Sequence, residues 1–156
     1  MDILYREGQT ELISEKLNIA KSDVDLILKN YSAYLREKIN SGETVKILNI
    51  CYLKNTEESK EVKRETLGYI ASELSKQTKI GSVTVLRVLN TLEECIIRDL
   101  NEGKGYSIRG LIRIRCIDVG GTKKVRIKKS TKDNGKPIYV VTLNSFKRKV
   151  GYYNAG

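Results

Sequence analysis

Basic side chains that could bind phosphate are concentrated in the last quarter of the chain. Residues 1–116 hold 19 Lys and Arg against 17 Asp and Glu, a net charge of +2, whereas residues 117–156 hold 10 against 2, a net charge of +8. Such a surplus is typical of a surface that binds a polyanion, either a nucleic-acid backbone or an acidic protein surface. The candidate phosphate contacts are Lys123, Lys124, Arg126, Lys128, Lys129, Lys132, Lys136, Lys147, Arg148 and Lys149.

The residues that common catalytic sites require are missing. The chain has no histidine, which excludes Ser-His and Cys-His nucleophile pairs and histidine metal ligands. Gly120-Gly121-Thr122-Lys123 resembles a phosphate-binding loop but lacks the required spacing. Cys51, Cys95 and Cys116 contain no CxxC pair, so no disulfide framework is predicted and a reducing compartment is expected. We therefore expect a non-enzymatic protein with no cofactor, no metal and no small-molecule substrate.

The elements that must position the basic residues are built from an internal repeat. Residues 24–54 and 85–115 share one design at a constant offset of 61 positions: an amphipathic helix, a stop at Gly42 or Gly103, and a strand pattern. One helix and one hairpin cannot bury an apolar face alone, so we predict that the two copies share one core. The matching helical stripes are Val24, Ile27, Leu28, Tyr31, Leu35 and Ile39, and Val85, Val88, Leu89, Leu92, Ile96 and Leu100.

Shorter elements complete each copy. Thr10 is predicted to cap a first helix that closes at Asn18, and residues 44–54 to form a hairpin that turns at Leu48-Asn49. The polar residues 55–64 are interpreted as a linker between the copies. A second short helix is predicted to bury the face made of Leu67, Ile70, Ala71 and Leu74.

The second copy continues beyond the point where the first one stops. Apolar and basic residues alternate from residue 112 to 116 and again from 124 to 128, which predicts strands with one apolar and one basic face. Asp133-Asn134-Gly135 is a strong tight-turn signal, and residues 137–141 are predicted to return as the opposite strand. The expected result is a protruding basic two-stranded β-arm, residues 117–143.

This plan resembles the HU and integration-host-factor family of histone-like DNA-binding proteins. Arg109-Gly110-Leu111 is similar to the glycine-centred hairpin of that family, and Ser145-Phe146-Lys147 is similar to its Phe-Lys step after the arm. The resemblance implies an α+β fold in which two HU-like helix-helix-hairpin repeats form a single-chain pseudo-dimer with one long β-ribbon arm. The first repeat, without an arm, would be residues 1–54, and the second, with the arm, residues 65–156.

Two functions follow from the resemblance and from the departures that accompany it. The family implies an architectural protein whose arm grips the phosphate backbone of double-stranded DNA without reading bases. In this chain both repeats are present and only one has an arm. Lys128-Lys129-Ser130-Thr131 also lacks the family's intercalating proline, which argues against sharp bending of the DNA. A one-armed unit also suits a phage virion structural protein, such as a ring or connector component at the head-tail junction.

The two interpretations differ in partner and location. The architectural protein would lie in the cytoplasm with the nucleoid, whereas the assembly protein would dock on an acidic protein surface, for example within a homo-oligomeric ring in a virion. No apolar run approaches transmembrane length, so no membrane partner is expected in either case.

Overall fold

A computed structural model describes residues 7–54, 66–108, 112–120, 122–129 and 139–150. Within these residues the chain is an α+β protein with two antiparallel sheets of three strands each. The predicted linker 55–64 and the predicted turn Asp133-Asn134-Gly135 lie outside the described residues, as do Lys132 and Lys136.

The described helices confirm the periodicity of the two copies. Every residue of both predicted stripes is buried, because an apolar residue at every third or fourth position falls on one side of a helix. Among the described helices, none combines the length and the apolar character that crossing a membrane requires. The helices are α1 (Glu7–Leu17), α2 (Lys21–Asn40), α3 (Leu67–Thr78), α4 (Ser82–Asn101) and α5 (Asn144–Lys149).

The predicted start of the first helix is wrong, whereas its predicted end is confirmed. Helix α1 already begins at Glu7, so Thr10 lies inside the helix rather than at its cap. Thr10 is buried, and its hydroxyl has no hydrogen-bond partner among the described residues, so it does not act as a cap. The helix ends before Asn18, which takes a left-handed backbone conformation with φ of 56°.

The two copies pack reciprocally around one core. Helix α1 contacts α4, and α3 contacts α2, so the short helix of each copy lies against the long helix of the other. The stripes of α2 and α4 belong to a single cluster of buried apolar side chains. The predicted shared core is therefore confirmed.

The strands form two three-stranded sheets, in each of which a further strand pairs with the hairpin of one copy. The first hairpin turns at Leu48, which has a φ of 48°, so its predicted position is confirmed. The sheet orders are β1-β2-β6 and β3-β4-β5. The strands are β1 (Val45–Ile47), β2 (Cys51–Lys54), β3 (Tyr106–Ile108), β4 (Ile112–Val119), β5 (Thr122–Lys129) and β6 (Tyr139–Thr142).

The predicted pairing within the β-arm is wrong. The described part of residues 137–141, Tyr139–Val141, pairs with β2 of the first copy, whereas residues 124–128 lie in β5 and pair with β4. The β4–β5 turn includes Gly120, whose φ of 61° suits glycine, and two residues between alternating strands are the usual length of a tight hairpin loop. The loop at residues 120–121, rather than the Asp133-Asn134-Gly135 signal, therefore determines the partner of β5.

Candidate nucleic-acid interface

Strands β4 and β5, which we call the basic ribbon, present one apolar and one basic face. Ile112 and Ile114 of β4 are fully buried, whereas Arg113 and Arg115 between and beside them are exposed. On β5 the described side chains follow the same rule, since Arg126 is exposed and the next residue is partly buried. Because successive strand side chains point to opposite faces, the alternation puts three arginines on the solvent side.

Like charges lie directly opposite each other at two of the eight residue pairs of the basic ribbon, whereas Asp118 lies opposite Lys123. The register pairs Arg113 with Lys128 and Arg115 with Arg126. Like charges in such positions destabilise a sheet. No ion pair between described residues includes Arg113, Arg115 or Arg126. An anion from outside the chain would therefore lower the electrostatic free energy of this face.

The basic ribbon extends beyond the sheet that anchors it. Strand β3 pairs with β4 only as far as Ile114, whereas β4 and β5 continue together to the pair Val119–Thr122. At a rise of about 3.4 Å per residue, five further residues extend the ribbon by roughly 17 Å. Arg115 and Arg126 form the first pair of this two-stranded extension.

Protection of a sheet edge explains only part of this charge. Strand β5 is at the edge of its sheet, and lysines on an edge strand discourage pairing with other chains. Arg113, however, lies on the central strand β4, where β3 and β5 already pair with both sides of the backbone. Edge protection gives no reason for an exposed arginine there, whereas anion binding does.

The structure places eight of the ten predicted contacts on two elements. Lys123, Lys124, Arg126, Lys128 and Lys129 belong to β5, whereas Lys147, Arg148 and Lys149 belong to α5, which follows the other sheet. Of these, Arg126, Arg148 and Lys149 have described side chains, and all three are exposed.

Lys149 already has an anionic partner within the protein. Its Nζ lies 3.6 Å from Oε2 of Glu93, a residue of α4 that is only 7% exposed. The other oxygen, Oε1, accepts a hydrogen bond from the backbone N–H of Asn49 at 2.7 Å. Asn101 Nδ2 also donates to the backbone oxygen of Lys149 at 3.3 Å. These four residues line a cleft of about 810 Å³ whose lining is mixed in charge, because it also includes Glu94, Arg98 and Glu102.

Sequence reasoning missed three residues of this arrangement. The predicted contacts do not include Arg113 and Arg115, although the alternation places both on the basic face of their strand. The Gly120-Gly121 loop was the signal that could have paired them with β5. Glu93 gave no local signal, because its burial comes from the β1–β2 turn and from α5, both distant in sequence.

Two buried titratable groups, Cys51 and Tyr31, have raised pKa values. Burial raises the pKa of the Cys51 thiol to about 12, so the thiol stays protonated and unreactive at neutral pH. Burial also raises the pKa of Tyr31 well above its usual range, and the Tyr31 hydroxyl accepts a hydrogen bond from the Leu48 N–H at 2.8 Å. Among the described residues, no group of three or more acidic or cysteine side chains is arranged to hold a metal ion.

Asp99 is a buried carboxyl group in the last turn of α4. Its residue exposure is 2%, and Oδ2 has no hydrogen-bond partner among the described residues. Burial raises the pKa of Asp99, and the guanidinium of Arg98, whose Nε lies 4.0 Å from Oδ1, offsets this only in part. The negative end of the helix dipole also disfavours the ionised form at this position.

The chain matches no protein-family model and no curated protein sequence. The geometry of the basic ribbon is therefore what carries functional information.

Proposed function

We propose that the protein is a non-enzymatic, HU-like architectural protein that binds double-stranded nucleic acid through phosphate contacts from the basic ribbon. The observation that carries this proposal is the position of Arg115 directly opposite Arg126 on a ribbon that extends beyond its sheet. Phosphate oxygens would accept paired hydrogen bonds from each guanidinium and relieve the repulsion between them. Such contacts position a duplex without reading its bases.

The arrangement of the two copies supports the HU-like part of the proposal. The short helix of each copy packs on the long helix of the other, as expected for a pseudo-dimer within one chain. Each sheet contains a hairpin of one copy plus a third strand, which is β5 in one sheet and β6 in the other. In this proposal the chain keeps one arm, the basic ribbon, and supplies the missing third strand of the armless copy from its C-terminal part.

Salt dependence of binding tests the proposal. Each phosphate contact releases counterions, so replacing Arg113, Arg115 and Arg126 together with Gln should make the log-log salt slope shallower by about 2 to 3. Fluorescence anisotropy of a short labelled duplex at several salt concentrations measures this slope. The matched control replaces Lys21, Lys29 and Lys76 with Gln, because these exposed helical lysines carry the same total charge.

The two variants separate a specific ribbon from a general charge effect. The proposal requires the arginine variant to bind the duplex more weakly and with a shallower salt slope. The lysine control should keep most of the wild-type affinity and salt slope. Equal losses in the two variants, or none in either, would show that the basic ribbon is not the nucleic-acid contact.

A second candidate function is structural assembly within a phage virion, for example as a ring or connector component. The observation that favours it is asymmetry: in the described part of the chain only one of the two sheets carries a projecting ribbon, which suits contacts between unlike surfaces of neighbouring copies. Light scattering with and without a duplex distinguishes the two functions. A small species that gains mass with DNA supports the first function, and a large assembly indifferent to DNA supports the second.

A further inference from the structure

Residues 139–150, which we call the C-terminal strap, are docked on the first copy. Strand β6 pairs with β2, and the Leu143 N–H extends this pairing by donating to the Ile50 oxygen at 2.8 Å. Phe146 of α5 is buried in the common core. The strap is therefore held by one short strand, one main aromatic anchor and the polar contacts at its far end.

Those polar contacts centre on Glu93 and Lys149. The Glu93 side chain is 10% exposed, whereas the Lys149 side chain is 52% exposed. A ligand in solution can therefore reach the ammonium while the carboxylate stays in the protein. Asn49 supplies the other hydrogen bond to Glu93 and does so from the β1–β2 turn, independently of the strap.

A polyanion would compete with Glu93 for Lys149. The neighbouring Arg148 is also exposed, so α5 presents two adjacent cations to an approaching phosphate backbone. If phosphate draws the ammonium away, the Glu93 carboxylate loses its countercharge at a site where water has little access, which is unfavourable. Phosphate binding to Lys149 therefore destabilises the docked strap, and docking of the strap weakens phosphate binding to Lys149.

We propose that Glu93 and Lys149 form a polyanion-sensitive latch, and that phosphates binding to Lys149 and Arg148 loosen the C-terminal strap from β2. This inference rests on the proposed function, because it takes nucleic acid as the polyanion. A ligand that binds the open strap better than the closed one shifts the population toward the open state. Opening uncovers the outer edge of β2 and the site filled by Phe146.

Hydrogen exchange of the full chain, followed by mass spectrometry of peptides from residues 139–150, tests the latch. Glu93→Gln keeps an oxygen for the Asn49 N–H but removes the charge that holds Lys149, so exchange in the strap should become about fivefold faster without any ligand. A saturating short duplex should produce a similar acceleration in the wild-type protein. In the Glu93→Gln variant the same duplex should add little.

Two controls make the outcomes distinct. Glu94→Gln removes a neighbouring carboxylate that pairs with Lys16 instead, so strap exchange should stay at the wild-type rate. Peptides covering α2 report global unfolding and should not change in any sample. A duplex that binds while strap exchange stays constant or slows overturns the latch and leaves the proposed function standing. A duplex that does not bind at all overturns the proposed function, and the polyanion sensitivity of the latch with it.

Discussion

Arg115 lies directly opposite Arg126 in the register of the basic ribbon, and both side chains are exposed. This pair places two like charges where a sheet would be more stable with a neutral or oppositely charged partner. If the pair is present because it binds a ligand, removing it should increase the stability of the folded protein.

Replacing either arginine with Thr should therefore raise the free energy of unfolding by about 0.2 to 1 kcal/mol while weakening duplex binding. Urea denaturation measures the stability. In the double variant the second substitution should add less than the first, because the repulsion has already been removed. Strictly additive gains would mean that the two guanidinium groups do not interact.

The shared core predicts equal sensitivity in both copies. Leu28→Ala and Leu89→Ala each remove a buried side chain from one cluster and should cost about 2 to 5 kcal/mol of unfolding free energy. Leu26→Ala is the control on the same helix as Leu28, since Leu26 is 40% exposed, and it should cost less than about 1 kcal/mol. Thermal denaturation of either core variant should remain a single transition, whereas two separated transitions would contradict one core.

The first hairpin turn depends on a hydroxyl group. Tyr31→Phe removes the oxygen that accepts the Leu48 N–H and leaves this buried amide without its partner, at a cost of about 1 to 3 kcal/mol. Tyr69, which is 49% exposed, provides the control, and Tyr69→Phe should change stability by less than about 0.5 kcal/mol. Equal effects of the two substitutions in urea denaturation would rule out this role of the Tyr31 hydroxyl.

Asp99 should make stability fall as pH rises. Because burial raises its pKa in the folded state, the folded protein holds this proton more tightly than the unfolded chain does. Stability from this group is therefore lost as pH rises from the unfolded pKa through the folded pKa. Asp99→Asn, which cannot ionise, should be more stable than the wild type at neutral pH. Urea denaturation across the acidic range should show this advantage shrinking as pH falls; a constant difference would argue against the shifted carboxyl.

The pairing of β6 with β2 can be tested with the cysteine already present. The Leu143 N–H donates to the Ile50 oxygen, so the adjacent pair Cys51–Thr142 is a non-hydrogen-bonded pair, the type in which the Cα atoms of antiparallel strands are closest. Thr142→Cys, refolded under oxidising conditions, should form a disulfide with Cys51 within one chain. Val141→Cys places the thiol on the other face of β6 and should remain reduced. Thiol titration in denaturant distinguishes them, and unchanged free thiol in Thr142→Cys would contradict the register.

Local periodicity was sufficient to predict the two long helices, α2 and α4, and the shared core. The stripes from Val24 and from Val85 repeat at helical spacing, and burial follows directly from that spacing. The partners of the strands were harder to predict. The alternation of β5 is equally compatible with pairing to β4 or to β6, and the choice depends on which of two loops forms the hairpin turn. The burial of Glu93 could not be predicted, because its two partners, Asn49 and Lys149, are both distant from it in the sequence and from each other.

The pairing of β2 with β6 has a consequence for synthesis of the chain on the ribosome. Thr142 is added 91 residues after its partner Cys51, which at about 5 to 20 residues per second means a delay of roughly 5 to 20 s. During that interval the nascent first hairpin has its core-facing side chains in place but one edge of β2 still open. Unpaired strand edges are where chains aggregate, so the nascent protein is exposed to aggregation at β2 until β6 has been translated.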